Sequence, residues 1–527
     1  MVNAGVQPGG HHGLNADIWS NILSFVSPSD ARSLSLVSHT IHPAARRVVF
    51  SRAEISEQDQ LEHAHAFMIG EPHHRACWLR ELHIHYYAVA KVEDRPAGSA
   101  LAAKLADLLE AARNISSLAL PCMEPLLEAD PRVGTALASL ARLEVVRFAD
   151  VRTQTLKLAN MMASRPTQVT LVLGTPCDSE YRISEYLVSL SHLTLLRNAS
   201  AVEIEFFDLK PRDRCTQPAD FDFELGQLGQ HPTVCELRLR YSGPLPLFHI
   251  FPNIQVLRMR CLKEWFAEFD WREWAWTESV PLVDVTADND KQLLCLAGER
   301  SQPTLRQLCL HQPPGSVTVD LDYDYDDEFE FDHLQPVCLT FPVEEWHAPE
   351  NMDIVLWRGC LGTPAGPEGR LRYLQVTAQC ESEEDMSVQW AVRRFSFACP
   401  ARPDEAPRQK WLLPALRTSQ LVCLRLNFDV STPSGKVARL GAARLVRYVP
   451  SLRYLCIAEG RCVEDDVDYA YEQRFVGKCT WWRVYDAEGE RRVESISCEA
   501  GERVEQYLRS QEFEKTLSLD VFVLDDA

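Results

Sequence analysis

Val234–Arg240 reads VCELRLR, and at an interval of 20 residues Ile254–Arg260 reads IQVLRMR. Each carries an apolar residue, two variable ones, an apolar residue, one variable and an apolar residue: Val234-Leu237-Leu239 and Ile254-Leu257-Met259. The alternation at the end of each copy is the two-residue period of a strand with one buried face. A single copy fits any half-buried strand, so the reading rests on recurrence. The pattern returns at Leu79-Leu82-Ile84, Ile115-Leu118-Leu120, Leu143-Val146-Phe148, Val280-Val283-Val285, Leu305-Leu308-Leu310, Leu371-Leu374-Val376, Leu421-Leu424-Leu426 and Leu452-Leu455-Ile457. Weaker copies end at Leu171-Leu173 and Val202-Ile204.

Starts at 234, 254, 280 and 305 give intervals of 20, 26 and 25, whereas 305 to 371 is 66 and 371 to 421 is 50. The longer gaps imply insertions or lost copies. Between copies lie helical stretches such as SALAAKLADLLEAARN, where Leu101, Leu105, Leu108 and Leu109 share one face. The expected unit is a strand followed by a helix, stacked so that neighbours bury each other's apolar faces. The acidic stretch DLDYDYDDEFEFD (Asp320–Asp332) and the segments GTPAGPEG and CPARPDEAP have the composition of exposed insertions. WFAEFDWREWAW (Trp265–Trp276) reads as a helix packed on the sheet. VGKCTWWRVYDAEGERRVESIS reads as a hairpin turning near Ala487-Glu488-Gly489, and GERVEQYLRSQEF as a helix; together they are expected to cap the end of the stack.

Ahead of the repeats stands LNADIWSNILSFVSPSDARSLSLVSHTIHPAARRVVF (Leu14–Phe50). Ile18, Ile22, Phe25 and Val26 fall on one helical face; Ser27-Pro28-Ser29-Asp30 supplies the cap and first turn of a second helix carrying Leu34, Leu36, Val37 and Ile41; Pro43 opens a third. About forty residues in two or three short helices bury little area, and units that small seldom stand without a metal, a disulfide or a partner.

Leu14, Asp17-Ile18, Ile22-Leu23, Pro28-Ser29-Asp30, Leu34, Leu36-Val37-Ser38 and Ala44-Ala45-Arg46 follow, in order and spacing, the F-box pattern. Asn15 and Ile41 stand where that family usually has proline and tryptophan. The chain resembles F-box proteins with degenerate leucine-rich repeats, a kind abundant in fungi. The resemblance implies an α/β fold: a flexible tail at 1–13, a small all-helical F-box at 14–55, and an irregular leucine-rich-repeat solenoid at 56–460. Parallel strands would line its inner face and helices its outside, with an acidic insertion at about 312–352 and a C-terminal capping segment at 461–527. It further implies a non-catalytic substrate-receptor subunit of a cullin-based ubiquitin ligase. Leu14, Ile18, Ile22, Leu23, Pro28, Leu34, Leu36 and Val37 would meet the Skp-type adaptor, and the repeats would hold the protein to be ubiquitinated. The competing expectation is an interaction scaffold whose helices only cap the solenoid.

Composition narrows the classes. Asp and Glu outnumber Lys and Arg by 75 to 54, a net charge of -21, which repels nucleic acid and anionic membranes. No stretch approaches the roughly 18 apolar residues of a membrane span. Seventeen cysteines without a C-x-x-C pair fit reduced thiols in cytoplasm or nucleus. No catalytic signature, cofactor loop or metal-ligand spacing is present; His83 and His85, two apart on a strand, are read as face residues. Positions between and after the last two apolar residues point to the inner face, so Arg238, Arg240, Arg258 and Arg260 are expected to stack as a basic patch for an acidic or phosphorylated segment. The alternative counter-ions are Glu203 and Glu205.

Overall fold

The computed structural model describes residues 16–23, 25–37, 39, 41–70, 75–90, 95–174, 183–206, 228–240, 247–260, 281–288, 293, 305–311, 334–343, 369–379, 419–429, 442, 445–447, 449–467, 470–487, 489–519 and 522. The tail at 1–13, the acidic stretch 320–332, the tryptophan-rich stretch 265–276 and both proline-rich segments lie outside them. The chain divides into two compact units, Met1–Asp208 and Leu209–Ala527. Among the described residues no helix is long and apolar enough to cross a membrane.

The first unit opens with α1 (Ala16–Leu23), α2 (Pro28–Val37) and α3 (His42–Val49), followed by six parallel strands joined mainly by helices. In chain order these are β1 (Arg52–Ile55), α4 (Gln58–Ile69), β2 (Glu81–Ile84), α5 (Tyr86–Val89), α6 (Arg95–Ala111), β3 (Ser117–Leu120), α7 (Met123–Ala129), α8 (Pro131–Ser139), β4 (Val145–Val151), α9 (Thr153–Met161), β5 (Gln168–Leu173), α10 (Ile183–Ser191) and β6 (Ala201–Phe206). Each strand pairs with the next in sequence. Leu82, Leu118, Val146, Val169 and Val202 thereby stand in one register row and are buried. The α6 helix buries Leu101, Leu105, Leu108 and Leu109 as its spacing required.

The second unit repeats the scheme with β7 (Glu236–Arg240), α11 (Leu247–Ile250), β8 (Val256–Arg260), β9 (Asp284–Ala287), β10 (Gln307–Leu310), β11 (Cys338–Val343), β12 (Tyr373–Gln379), β13 (Cys423–Asp429) and β14 (Tyr454–Val467), all parallel. Leu237, Leu257, Val285, Leu308, Leu339, Leu374, Leu424 and Leu455 form one unbroken buried row. Antiparallel β15 (Ala470–Ala487) and β16 (Glu490–Ile496) then close the edge beyond β14, with Gly489 at φ 82° in the turn between them. The positive φ is one that glycine adopts without strain.

One device recurs at the step before each strand. Arg80 and Glu81 both donate their backbone N–H to the Ser51 carbonyl; Ser116 and Ser117 donate to Arg80, and Glu144 and Val145 to Ser116. The second unit repeats it, from Gln255 and Val256 on Cys235 through to Arg453 and Tyr454 on Val422. The two variable residues inside each copy are therefore the hinge by which one copy hangs on the previous one, which satisfies backbone groups that would otherwise be buried unpaired.

Register corrects three sequence expectations. At β9 the buried positions are Leu282, Val285 and Ala287, so the copy is shifted by two residues from Val280-Val283-Val285. Ala287 is small enough to hide from an apolar-triplet reading. The copy ending at Leu171-Leu173 is likewise shifted: Val169 and Leu171 fill the row positions. Within 312–352, read as insertion, β11 forms a full copy with Leu339 and Phe341 buried and Pro336 in the leading place. By contrast β12 pairs directly with β13, so the 50-residue interval between their copies holds an insertion and no lost strand.

The carboxyl-terminal segment does more than close an edge. Beyond β16, α12 (Cys498–Leu508) and α13 (Gln511–Thr516) lie over the sheet face opposite the leucine row, where Cys338, Tyr373, Cys423, Cys456 and Trp481 form a core with Val504, Leu508 and Phe513. Helix α12 seats so closely that a Cβ on Gly501 would stand 2.2 Å from the Trp481 ring. Gly501→Val must displace a fully buried indole, and overpacking of this kind costs about 1–3 kcal/mol. We expect a lower melting midpoint for the variant with altered tryptophan fluorescence in the native baseline; an unchanged melt would contradict this seating.

Candidate functional site

Two surfaces are candidates for a functional site, one in each unit. In the first, the Ser27 hydroxyl accepts from the Asp30 backbone N–H at 3.1 Å and donates to the Asp30 carboxylate at 2.7 Å, capping α2. His42 reaches back from α3 to the Ser35 carbonyl at 2.9 Å. A small core closes around Leu23, Ile41 and Ala45, with Trp19, Val26, Leu34, Ala44 and Val48 packed on it. At its end, Phe50 meets Phe67 edge-on at 5.1 Å and stacks on Trp78 at 6.4 Å, tying the end of α3 to α4 and to the turn ahead of β2.

That closed core leaves other apolar side chains outside. Phe25 is 90% exposed, Leu36 82%, Val37 76%, Ile18 46% and Ile22 40%. These are five of the fourteen exposed large hydrophobic residues among the described ones, gathered in twenty residues of chain, where scattered exposure would need no explanation. The residues expected to meet an adaptor are thus sorted. Ile18, Ile22, Pro28, Leu36 and Val37 are exposed. Leu23, 1% exposed, and the half-buried Leu34 hold the module together instead. Leu14 and Asn15 lie outside the described residues, and Ile41 fills the module core. Phe25, outside the expected contact set, is placed by its spacing on the first helical face; α1 ends at Leu23, and Phe25 stands exposed in the turn that follows, its N–H on the Ile22 carbonyl.

In the second unit, β7 and β8 bring Arg238 level with Arg258 and Arg240 level with Arg260. The four guanidiniums do not form a bare patch. Glu236, two residues before Arg238 on the same face, meets Arg238 at 2.8 Å and Arg258 at 3.5 Å. Arg240 is buried and Arg260 half-buried, while the Arg238 and Arg258 side chains keep 39% and 41% of their exposure. Glu203 and Glu205, the counter-ions expected from sequence, lie on β6 of the first unit, where Glu205 meets Arg147 at 3.7 Å. Burial and the positive charge of Arg260 and Arg258 hold His311 down at about 4, so it is neutral at physiological pH. His83 and His85 turn to Ser117 and Glu54, at 3.2 and 3.1 Å. Among the described residues no group of three or more His, Cys, Asp or Glu side chains is placed to hold a metal ion.

Further along the same face, Glu505 of α12 is held by Arg425, by Arg509 at 2.9 Å and by the Tyr373 hydroxyl at 2.9 Å. Burial alone would raise its pKa, but the two guanidiniums and the Tyr373 hydrogen bond bring it below the ordinary value. This face of β12 and β13 is therefore packed against α12.

Compared with known proteins, the chain matches no family model and no curated sequence.

The His311 environment has a measurable consequence. Unfolded, this histidine binds a proton below its ordinary value of 6.5; folded, it does so only near 4. Between those values the unfolded chain holds more protons, so stability falls as pH drops through the window, by about 1–3 kcal/mol from this group. The urea midpoint should fall less between pH 7 and pH 4.5 for His311→Gln than for the parent chain. Parallel slopes would remove His311 from the account.

Proposed function

We propose that the chain is the substrate-receptor subunit of a cullin-based ubiquitin ligase, its amino-terminal helices forming an F-box that docks on a Skp-type adaptor and its repeats holding the protein to be ubiquitinated. The observation that carries this reading is the exposure of Ile18, Ile22, Phe25, Leu36 and Val37 around a module whose own core is already filled by Leu23, Ile41 and Ala45. Helices that served only as a cap would turn such residues inward against the repeats. The chain contributes proximity and needs no active site, since a held client raises the effective concentration of its lysines at the ligase. The α/β strand-helix repeats in register support a leucine-rich-repeat architecture for the client-binding part. Arg238 and Arg258, partly exposed beside Glu236, are its contacts for an acidic or phosphorylated segment, which would displace Glu236 from them.

The scaffold reading keeps one observation in its favour, the clamp of Phe50 between Phe67 of α4 and Trp78 that fastens the amino-terminal helices to the start of the repeats. Adaptor pull-down with Ile22→Asp and Leu36→Asp separates the two. Both residues are exposed, so the variant keeps its fold, while each aspartate in an apolar interface costs about 2 kcal/mol, roughly 30-fold in affinity. Loss of adaptor binding with an unchanged thermal melt supports the receptor reading. Failure of the intact chain to bind adaptor, or equal capture of the variant, refutes it.

A further inference from the structure

Where the carboxyl-terminal helices begin, three sulfurs gather. The β15–β16 register pairs Trp481 with Ile496; carried two residues on, it sets Cys479 opposite Cys498, the first residue of α12. The two Sγ atoms are 3.4 Å apart, and the Cys498 thiol also reaches the Cys479 carbonyl at 3.1 Å. On β14 the buried Cys456 hydrogen-bonds the Cys479 sulfur from the other side. Cys498 is exposed and Cys479 half-buried, so small oxidants reach the pair from solvent. The other thiols of this core, Cys338 and Cys423, are sealed beneath α12.

We propose that Cys479 and Cys498 form a peroxide-oxidisable dithiol, a modification site that covalently fastens α12 to β15. The Cys479 thiolate attacks one peroxide oxygen; the O–O bond breaks, a sulfenic acid forms, and the departing hydroxide takes up a proton to become water. The Cys498 sulfur then attacks the sulfenic sulfur, losing its own proton, and expels a second water. Two thiols and one hydrogen peroxide give one disulfide and two waters. The separation shortens to about 2.0 Å, within reach of side-chain rotation.

The electrostatics suit this order of events. Hydrogen bonds from the Cys456 and Cys498 thiols hold Cys479 down to about 6 against the effect of burial, with Arg425 on β13 adding positive charge and Glu502 on α12 opposing it. Cys498 is pushed up to about 11, by burial first and then by its hydrogen bond to Cys479, the Cys479 charge and Glu502, with Lys478 opposing. Oxidation of Cys479 to the neutral sulfenic acid removes its contributions and frees Cys498 to act as the resolving thiol. The disulfide would lock the start of the helix whose Val504 and Leu508 cover the sheet, and so make that cover permanent under oxidising conditions.

The test uses the full-length chain and hydrogen peroxide, with peptide mapping after the remaining thiols are alkylated. The expected result is a Cys479–Cys498 linkage formed before other cysteines are modified, and, in Cys498→Ser, a dimedone-trapped sulfenic acid at Cys479. Alkylation of Cys479 in the reduced protein should inflect near pH 6 and, at that pH, run about tenfold faster than glutathione, the larger thiolate fraction being offset by lower nucleophilicity. An inflection above pH 8, a Cys456–Cys479 linkage in its place, or oxidation spread evenly over the chain would overturn the proposal. None of these outcomes depends on adaptor binding.

Discussion

Everything in this chain depends on strands being held in exact step by the carbonyl that each copy offers to two N–H groups of the next. With that hinge set, the buried side chains of successive copies fall level, as in the row from Leu237 to Leu455. A slip of one residue would turn every leucine of a copy to the opposite face. The sequence tolerates great variety between copies because the loops and helices bear little of this constraint. Insertions are accommodated between β12 and β13 without disturbing their pairing.

The two faces of the second unit's sheet have different fates. One carries the leucine row. The other is polar around Arg238, Arg258 and Asp284, yet from β11 onward turns apolar at Cys338, Tyr373, Cys423 and Trp481 and is covered by α12 and α13. The half-buried carboxylate of Glu505 is met there by two guanidiniums and a hydroxyl, an arrangement that compensates its desolvation. Removing Glu505 would leave the Arg425 and Arg509 guanidiniums without the carboxylate they share. On this same face Arg238 of β7 and Arg258 of β8 keep part of their exposure.

Much of this was legible in the residues. The period of the L-x-x-L-x-L pattern identifies most strands, and the Leu101-Leu105-Leu108-Leu109 face identifies α6, because both depend on local periodicity. Copies headed by Pro336 or completed by Ala287 escape the same reading, since a row position asks only for a side chain that fits. The placement of α12 was not legible: Glu505 meets Tyr373 across 132 residues, and nothing local encodes that contact. Nor does a short helix with Ile18, Trp19, Ile22 and Leu23 on it declare which neighbour turns inward; Ile22 is exposed and Leu23 buried, one peptide apart. The pairing of Glu236 with Arg238 is legible as a two-residue spacing on one strand face, nearer in the chain than the alternative counter-ions Glu203 and Glu205.

The amino-terminal helices are complete as a small core and incomplete as a surface, and the proposed receptor role rests on that difference. Hydrogen exchange of the intact chain, with and without a purified Skp-type adaptor, tests it most directly. The account predicts slowed exchange confined to residues 16–37, where the exposed apolar side chains stand, with the strands unchanged. No protection at saturating adaptor, or protection that falls on the repeats and spares these helices, would contradict it.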